Sequence, residues 1–303
     1  MSKRKNKAYP LSNSPLYRLR NRKKLAKLLC LEQSYFNKDH SYSYRHFSEQ
    51  KPNGGERKFA DPPDRLKRIQ KEINKLLQRI ETPEWVKSGK KGESYITNGY
   101  YHMPSDYVRT MDISHFYDSV RRDAVYNLFS DRFKMADDIA TIMTNLVLDG
   151  YTLPTGAPTS QLIAFWAYRD MFEEIHKIAE MSGCKFTLYV DDMTFSSEDP
   201  ISYEFRDLVA SCLNQYGMHA KRTKDHYYKK DDYKIVTGFG FKNGVASVPN
   251  KKKVEILEKY KSLKENTDNA LEMNRLTGKL NAARQIQPDL FMSFDLEEMK
   301  TGR

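Results

Sequence analysis

The chain has 303 residues, of which 39% are hydrophobic, enough apolar material to bury a substantial core. Because it contains no run of about 18 apolar residues and no signal-peptide pattern, we expect neither a membrane-spanning nor an exported protein. Its three cysteines, Cys30, Cys184 and Cys212, are odd in number and lack CxxC spacing, which argues against a disulfide framework or a structural zinc site. We therefore expect a cytoplasmic protein.

The net charge of +11 is concentrated at the N-terminus, because residues 1–30 contain ten Lys or Arg and no acid. Leucines at 16, 19, 25, 28 and 29 recur at three- to four-residue intervals, which is typical of one or two amphipathic helices within residues 14–31. A basic arm of this kind is a candidate for binding a nucleic-acid backbone, since cations displace the counterions condensed on phosphates. A solvated terminus that aids solubility is the alternative.

The rest of the chain alternates between strand-like and helix-like segments. In chain order the pattern predicts a hairpin with its turn at 51–55 and a strand at 56–61, a helix from 64 to about 80, a strand at 107–113, helical sequence at 121–149, a long helix from about 160 to 181, a hairpin at 186–196, a helix at 203–216, strands at 235–238 and 245–248, and two final helices.

The most informative stretch runs from Phe186 to Ser196, a strand-like sequence interrupted by Asp191-Asp192. Aspartate is poor in strands and favourable in tight turns, so the pattern predicts a hairpin with both carboxylates at its tip. Two other doublets, Asp137-Asp138 and Asp231-Asp232, lie in a helical pattern and among lysines, where solvated faces or turns explain them. Adjacent carboxylates repel one another, and Mg²⁺ relieves that repulsion while taking oxygen ligands. The hairpin is therefore either a metal site or an ordinary acidic turn.

Two earlier stretches carry related chemistry. Asp112 ends the predicted strand at 107–113 and is followed by aromatic residues. The Pro/Gly loop at 153–160 precedes a helix, and such a loop presents backbone N–H groups that suit an anionic ligand or the edge of a base pair. Together with the Asp-Asp hairpin, these stretches are candidates for one site.

In order and spacing, Asp112, the loop Thr155-Gly156-Ala157-Pro158 and Tyr189-Val190-Asp191-Asp192 resemble the palm of reverse transcriptases, and more narrowly of bacterial retron reverse transcriptases. The resemblance covers nearly the whole chain. It implies an α+β fold of the right-hand polymerase type, with an antiparallel palm sheet and a helical thumb. The implied division is a basic N-terminal arm and fingers at 1–105, a palm at 106–247 with a fingers insertion near 119–150, and a thumb at 248–303.

The resemblance assigns roles in the palm. Asp112, Asp191 and Asp192 are the implied catalytic carboxylates, and they would hold two Mg²⁺ ions together with the Ile113 carbonyl. Tyr117 would occupy the steric-gate position that rejects a nucleotide 2′-hydroxyl.

Further residues would contact the nucleotide. Gly156 and Ala157 would line its pocket, in a loop where the family usually has Gln in place of Thr155 and Pro in place of Gln161. Arg57 matches a triphosphate-contacting arginine of the fingers. Lys224 is the candidate proton donor to pyrophosphate, with Lys221 as its rival, and a solvated basic turn is the alternative for both lysines.

Two short elements point to retrons in particular. The segment from Asn98 to His102 matches an Asn-Ala-x-x-His element with Gly99 in place of Ala, and Val236-Thr237-Gly238 matches a Val-Thr-Gly triplet. The resemblance implies that Asn98, His102, Val236, Thr237 and Gly238 take part in binding RNA. A satisfied core or surface histidine is the alternative for His102.

The implied activity is RNA-directed DNA synthesis from dNTPs. A retron-type enzyme would use a cognate structured non-coding RNA as primer and template, make a branched RNA-linked single-stranded DNA (msDNA), and act in anti-phage defence with an effector protein. A group II intron-like or other defence-associated reverse transcriptase is one alternative. A catalytically silent RNA-binding scaffold is an alternative of another class.

Overall fold

The computed structural model describes residues 8–38, 40–50, 54–265 and 270–294, and within them the fold is mixed helix and antiparallel sheet. The helices are α1 Arg22–Leu28, α2 Asp64–Leu77, α3 Tyr95–His102, α4 Phe116–Ser119, α5 Arg122–Asn127, α6 Asp137–Val147, α7 Ser160–Ala167, α8 Arg169–Met181, α9 Tyr203–Gln215, α10 Asn250–Glu265 and α11 Ala270–Ile286. The strands are β1 Arg45–Gln50, β2 Glu56–Asp61, β3 Tyr107–Asp112, β4 Lys185–Tyr189, β5 Asp192–Ser197, β6 His226–Tyr228, β7 Lys234–Val236, β8 Phe239–Lys242 and β9 Val245–Ser247. The predicted fold class, α+β with an antiparallel sheet and a helical C-terminal part, is confirmed.

The central sheet has the strand order β4-β5-β3-β6, and all its pairings are antiparallel. One face of the β4–β5 hairpin is apolar, since Phe186 lies opposite Phe195 and the two rings stack with their centroids 5.1 Å apart. The other face carries Thr187, Thr194 and Ser196, each no more than 1% exposed. Both faces are therefore covered, which explains why the only charged residues from 186 to 196 are Asp191 and Asp192.

The C-terminal elements build a second core beside the central sheet. Strands β7, β8 and β9 form an antiparallel sheet, and its Phe239 and Phe241 pack with leucines of α11. Strand β8 was not predicted, because Gly240 reads as a turn residue. In the structure a Cβ at Gly240 would lie 1.9 Å from the Tyr233 hydroxyl oxygen, so the strand needs glycine for close packing rather than for a turn.

The N-terminal segment differs from the predicted helix over 14–31. Helix α1 begins only after Asn21, whose side chain accepts a hydrogen bond from the Lys24 N–H and caps it. Leu16 and Leu19 are buried although they lie in an irregular segment. A hydrogen bond from the Arg18 N–H to the Phe133 carbonyl holds this segment against the core. The leucine spacing thus reports burial rather than one helix. Residues 1–7 of the predicted basic arm and 51–53 of the predicted turn lie outside the described residues.

Two predicted helices are interrupted. The sequence at 121–149 forms α5, a π-helical turn at Leu128–Arg132 and α6, and the long helix at 160–181 breaks at Tyr168 into α7 and α8. The hairpins, α2, β3, α9 and the two final helices lie close to their predicted positions. In the part of the chain that the structure describes, no helix has the length and apolar composition to cross a membrane.

Candidate active site

Three carboxylates meet at one end of the central sheet. In the β3–β5 register Asp112 lies opposite Asp192, so the last residue of one strand faces the first residue of the other. Asp191 lies in the turn directly before Asp192, and its carbonyl accepts a hydrogen bond from the Ile113 N–H at 3.3 Å. The structure therefore brings together the three aspartates that the sequence analysis singled out, although 79 positions separate Asp112 from Asp191.

The turn that carries Asp191 is strained. Val190 has a φ of +63°, a region that β-branched residues rarely adopt and that costs about 1–3 kcal/mol. Its N–H donates to the Ser88 hydroxyl at 2.8 Å, and the neighbouring Leu188 exchanges backbone hydrogen bonds with Trp85 and Lys87. The segment from Trp85 to Ser88 therefore holds the turn in place. The sequence analysis missed Ser88, which in sequence is one more polar residue of a basic loop.

Burial and the neighbouring carboxylates raise the pKa values of Asp191 and Asp192. Burial, followed by the charge of Asp191, raises the pKa of Asp192 to about 7, and burial with the charge of Asp112 raises the pKa of Asp191. Such shifts mean that three negative charges are crowded where solvent screens them poorly. Among the described residues no three metal-ligating side chains are grouped so that they could hold a metal ion, and Lys224 binds one oxygen of Asp112. The donors are nonetheless carboxylate oxygens with surplus negative charge, which fits Mg²⁺.

Of the two candidate lysines, the structure brings Lys224 to the carboxylates. Its ammonium donates to Asp112 Oδ2, whereas Lys221 contributes its backbone N–H to the Asp112 carbonyl at 2.8 Å. Burial alone would lower the pKa of Lys224, but the hydrogen bond and the charge of Asp112 outweigh it and raise the pKa above its usual value. Lys224 is therefore a fully charged donor beside the cluster.

Tyr117 and Arg57 lie on the approach to the aspartates. Burial and the negative charge of Asp191 raise the pKa of Tyr117 well above its usual value, and the positive charge of Arg57 counteracts them. Arg57 likewise opposes the effect of burial on the pKa of Asp191. Tyr117 is therefore a neutral phenol, and both Tyr117 and the exposed Arg57 side chain lie within electrostatic range of Asp191.

The loop at 153–160 is bonded to the strand that carries Arg57. The Ala60 N–H donates to the Thr155 carbonyl at 3.0 Å, so Thr155 serves this contact with its backbone. Gly156 has a φ of +111°, which favours glycine, and a Cβ there would lie 3.8 Å from the Phe59 ring. The loop and the β1–β2 hairpin thus form one wall near the aspartates, with Ala157 partly exposed on it.

The chain resembles several known proteins in sequence. No protein-family model matches the chain. The Retron Se72 reverse transcriptase of Salmonella heidelberg (strain 579083-10) is 29% identical over 214 residues, which cover 68% of this chain and 56% of that protein. The Retron Ec83 reverse transcriptase of Escherichia coli is 22% identical over 263 residues, which cover 81% of this chain and 83% of that protein. The chain is related to the retron reverse transcriptases. It therefore spans little more than half of the Se72 relative and most of the Ec83 relative.

Among solved structures, a foamy viral protease-reverse transcriptase in complex with double-stranded DNA superposes with a TM-score of 0.46 at 16% identity. The superposition covers 86% of this chain and 43% of that one.

The two short elements at 98–102 and 236–238 contain several buried residues. Asn98, His102 and Val236 are each 0% exposed, so in this structure none of these side chains presents a surface to RNA. Thr237 and Gly238 form the partly exposed turn between β7 and β8, with φ values of +49° and +87°. Asn98, His102 and Val236 thus lie inside the protein, whereas Thr237 and Gly238 reach its surface, and the part of all five residues in binding RNA remains a prediction.

Asn98 and His102 belong to one chain of hydrogen bonds with a single direction. The Thr187 hydroxyl donates to Asn98 Oδ1 at 2.6 Å, so the 2.7 Å contact between His102 Nε2 and that hydroxyl requires the histidine nitrogen to donate. His102 Nδ1 then accepts from the Ser196 hydroxyl at 2.8 Å. Burial, followed by the charges of Lys185 and Lys87, lowers the pKa of His102 to about 3, which keeps the ring neutral.

The chain continues in both directions beyond the histidine. Ser105 donates to Ser196 at one end, while at the other end the Asn98 amide donates to the Thr237 hydroxyl, which donates to the Tyr95 carbonyl. The two elements are therefore joined directly by the bond from the Asn98 amide to the Thr237 hydroxyl, while Thr187 of β4 bridges His102 to Asn98 and Ser196 of β5 bridges His102 to Ser105. The core alternative for His102 is the one the structure supports.

Proposed function

We propose that the protein is an RNA-directed DNA polymerase of the retron type. One observation carries the proposal: the sheet register sets Asp112 opposite Asp192, with Asp191 in the adjoining turn and the Lys224 ammonium on Asp112. This arrangement suits nucleotidyl transfer, and the names of the relatives support the choice of template and product.

The reaction joins a primer hydroxyl to the α-phosphorus of a dNTP. The hydroxyl oxygen loses its proton to water and forms the new bond, the bond between the α-phosphorus and the bridging oxygen breaks, and pyrophosphate leaves with that electron pair. Asp112, Asp191 and Asp192, with the Ile113 carbonyl, would hold two Mg²⁺ ions, which supply stabilisation of charge on the attacking and leaving oxygens.

The chain's own residues bind and orient the reactants. Arg57 offers five N–H donors to the triphosphate, and the exposed half of Lys224 offers a proton and a positive charge to the leaving pyrophosphate. Tyr117, kept neutral, would contact the sugar where a 2′-hydroxyl would lie. Gly156 and Ala157 would border the base, on a wall fixed by the bond from Ala60 to Thr155.

The domain division follows the same proposal. Residues 1–105 are the arm and fingers, 106–247 the palm with a fingers insertion near 119–150, and 248–303 the helical thumb. The second core contains residues of α10 and α11 together with residues of β7 and β8, Ile96 and Val108, which supports a helical thumb packed against the palm. The exposed basic side chains of α1 and of the preceding segment would face the RNA backbone.

The finer proposal concerns the RNA and the product. A cognate structured RNA, encoded beside the gene, would provide both template and an internal priming 2′-hydroxyl, and the product would be a branched RNA-linked DNA. Its use in anti-phage defence with an effector protein belongs to the same proposal. A group II intron-like enzyme would instead extend a free 3′ end to a linear product.

The test incubates purified protein with the RNA transcribed from the flanking DNA, labelled dNTPs and Mg²⁺. We expect labelled DNA whose mobility changes on treatment with a 2′,5′-debranching enzyme. A linear product would refute the retron type, and an absence of product with wild-type protein would refute the polymerase and favour an RNA-binding scaffold.

Two Asp→Asn variants separate the site from general effects of charge. Asp191→Asn should abolish synthesis, whereas Asp231→Asn, a change in an exposed doublet, should leave it intact. Binding of Mn²⁺, followed by electron paramagnetic resonance without any nucleotide, should weaken in the Asp191 variant alone. Equal loss of metal binding in both variants would contradict the assignment.

A further inference from the structure

The segment that presents Lys224 is fastened to strand β3 at both of its ends. At the first end the Lys221 N–H donates to the Asp112 carbonyl at 2.8 Å. At the second end the carboxylate of Asp225 accepts from Arg109 at 2.7 Å. Between them a single 3₁₀ turn, Arg222–Lys224, carries the ammonium that binds Asp112. The position of Lys224 along β3 is thus set by the Lys221 contact before it, and by the Asp225 contact and the pairing of β6 with β3 after it.

The Asp225 contact is unusually buried for an ion pair. The side chain of Arg109 is 4% exposed and that of Asp225 is 14% exposed. The guanidinium lies 5.0 Å from the centre of the Tyr227 ring, and a second arginine, Arg206, donates to the other oxygen of Asp225 at 2.9 Å. A pair held this tightly cannot shift along the strand without leaving a buried charge unpaired.

The Lys224 side chain itself has little other support, being 50% exposed. A flexible four-carbon stem reaches a fixed target reproducibly when its backbone is fixed, and small displacements of a reacting group are costly to rate. Arg109 and Asp112 lie on the same strand, three residues apart, so one rigid element locates both the aspartate and the lysine that meets it.

We propose that Asp225, clamped by Arg109, is a positioning residue that fixes the Lys224 ammonium at the carboxylate cluster. The inference rests on the proposed polymerase function. Asp225 acts through Lys224 and does not touch the reactants. Its loss therefore slows the chemical step without weakening the binding of dNTP.

A double-mutant cycle tests the proposal on the full-length protein with its RNA, by single-turnover incorporation of one dNTP. We expect Lys224→Ala to lower the maximal rate about 100-fold and Asp225→Asn about tenfold, each with an almost unchanged apparent KM for dNTP. In the Lys224→Ala background, Asp225→Asn should have no further effect. A merely structural role would instead reduce the rate by the same factor in both backgrounds.

Two additional variants guard against loss of folding. Asp225→Glu keeps the charge opposite Arg109 but lengthens the side chain, so we expect a near-native Tm with a rate still lowered at least about threefold. Asp106→Asn removes a 2.8 Å ion pair to Lys230 just before the far end of β3 and should leave the rate unchanged.

The outcomes separate the two proposals. Full recovery of rate in Asp225→Glu, an equal loss in Asp106→Asn, or additive effects in the cycle would overturn the positioning role while the polymerase remains. Wild-type protein that incorporates no nucleotide would overturn the polymerase and this inference together.

Discussion

Gly99→Ala adds one methyl group where α3 packs against β8. A Cβ at this position would lie 2.2 Å from Cγ, 2.3 Å from Cδ1 and 2.5 Å from Cβ of Phe239, and real contacts are about 1 Å longer. The Phe239 ring is 0% exposed and lies 4.7 Å from the Tyr100 ring and 6.1 Å from the Phe241 ring, so it has no space to move. Overpacking of a core typically costs about 1–3 kcal/mol.

Contacts this short put the overpacking cost near its upper limit of about 3 kcal/mol. The better helix propensity of alanine offsets up to about 1 kcal/mol of that cost, so we expect the free energy of unfolding to fall by about 2 kcal/mol. Urea denaturation measures it. The matched control is Gly278→Ala in α11, where no atom lies within 4 Å of the added Cβ. That control should stabilise the protein by about 0.5–1 kcal/mol.

A shift of the same sign in both variants would refute the packing argument. The contact can also be tested directly, because Gly99→Ala should cost less in a Phe239→Leu background, where the ring is gone. Additive effects of Gly99→Ala and Phe239→Leu would show that the methyl group does not meet Phe239. The same contact explains why this helix has glycine at position 99.

Three further predictions concern the hairpin turn and the nucleotide pocket. Burial and Asp191 raise the pKa of Asp192 to about 7, so the folded state binds the proton of this carboxyl group more tightly than the unfolded state does. The stabilisation of the fold by this proton is therefore present below about pH 4 and is lost as pH rises to about 7. In metal-free buffer the Tm of Asp192→Asn should exceed that of wild type by a margin that grows over this range, and a constant margin would contradict the shift. Val190→Gly should raise the unfolding free energy in urea by about 0.5–1 kcal/mol by relieving the φ of +63°, and a loss would show that packing of the valine outweighs the strain. Tyr117→Ala should raise incorporation of ribonucleotides relative to deoxyribonucleotides by about tenfold or more in primer extension, and unchanged selectivity would exclude a gate.

The hairpin at 186–196 could be predicted because its signals are local. Strand-forming residues flank Asp191-Asp192, and aspartate favours the turn. That Asp112 lies opposite Asp192 is a property of strand register between distant segments, which residue patterns do not contain. The sequence led to that pairing only through the resemblance to a known palm.

Other features depended on three-dimensional packing. Lys221 and Lys224 are equivalent as sequence, and a single 3₁₀ turn decides which ammonium reaches Asp112. His102 lies in a polar, aromatic helix that reads as a surface, yet its partners come from two strands more than 80 residues away. Gly240 reads as a turn and proves to be a strand residue because a neighbouring hydroxyl occupies the space of a side chain.

The one-way chain of hydrogen bonds from Ser105 to Tyr95 constrains which substitutions the protein can accept. Each inner side chain of this series donates one hydrogen bond and accepts another. A substitution that removes one hydroxyl therefore leaves a donor without an acceptor on one side and an acceptor without a donor on the other. A substitution at Asn98 therefore calls for compensating substitutions at Thr187 and Thr237, which lie in separate parts of the sequence. Among relatives, these three positions should covary as a unit, and exchange of α3 between homologues should succeed only when the β7–β8 turn is exchanged with it.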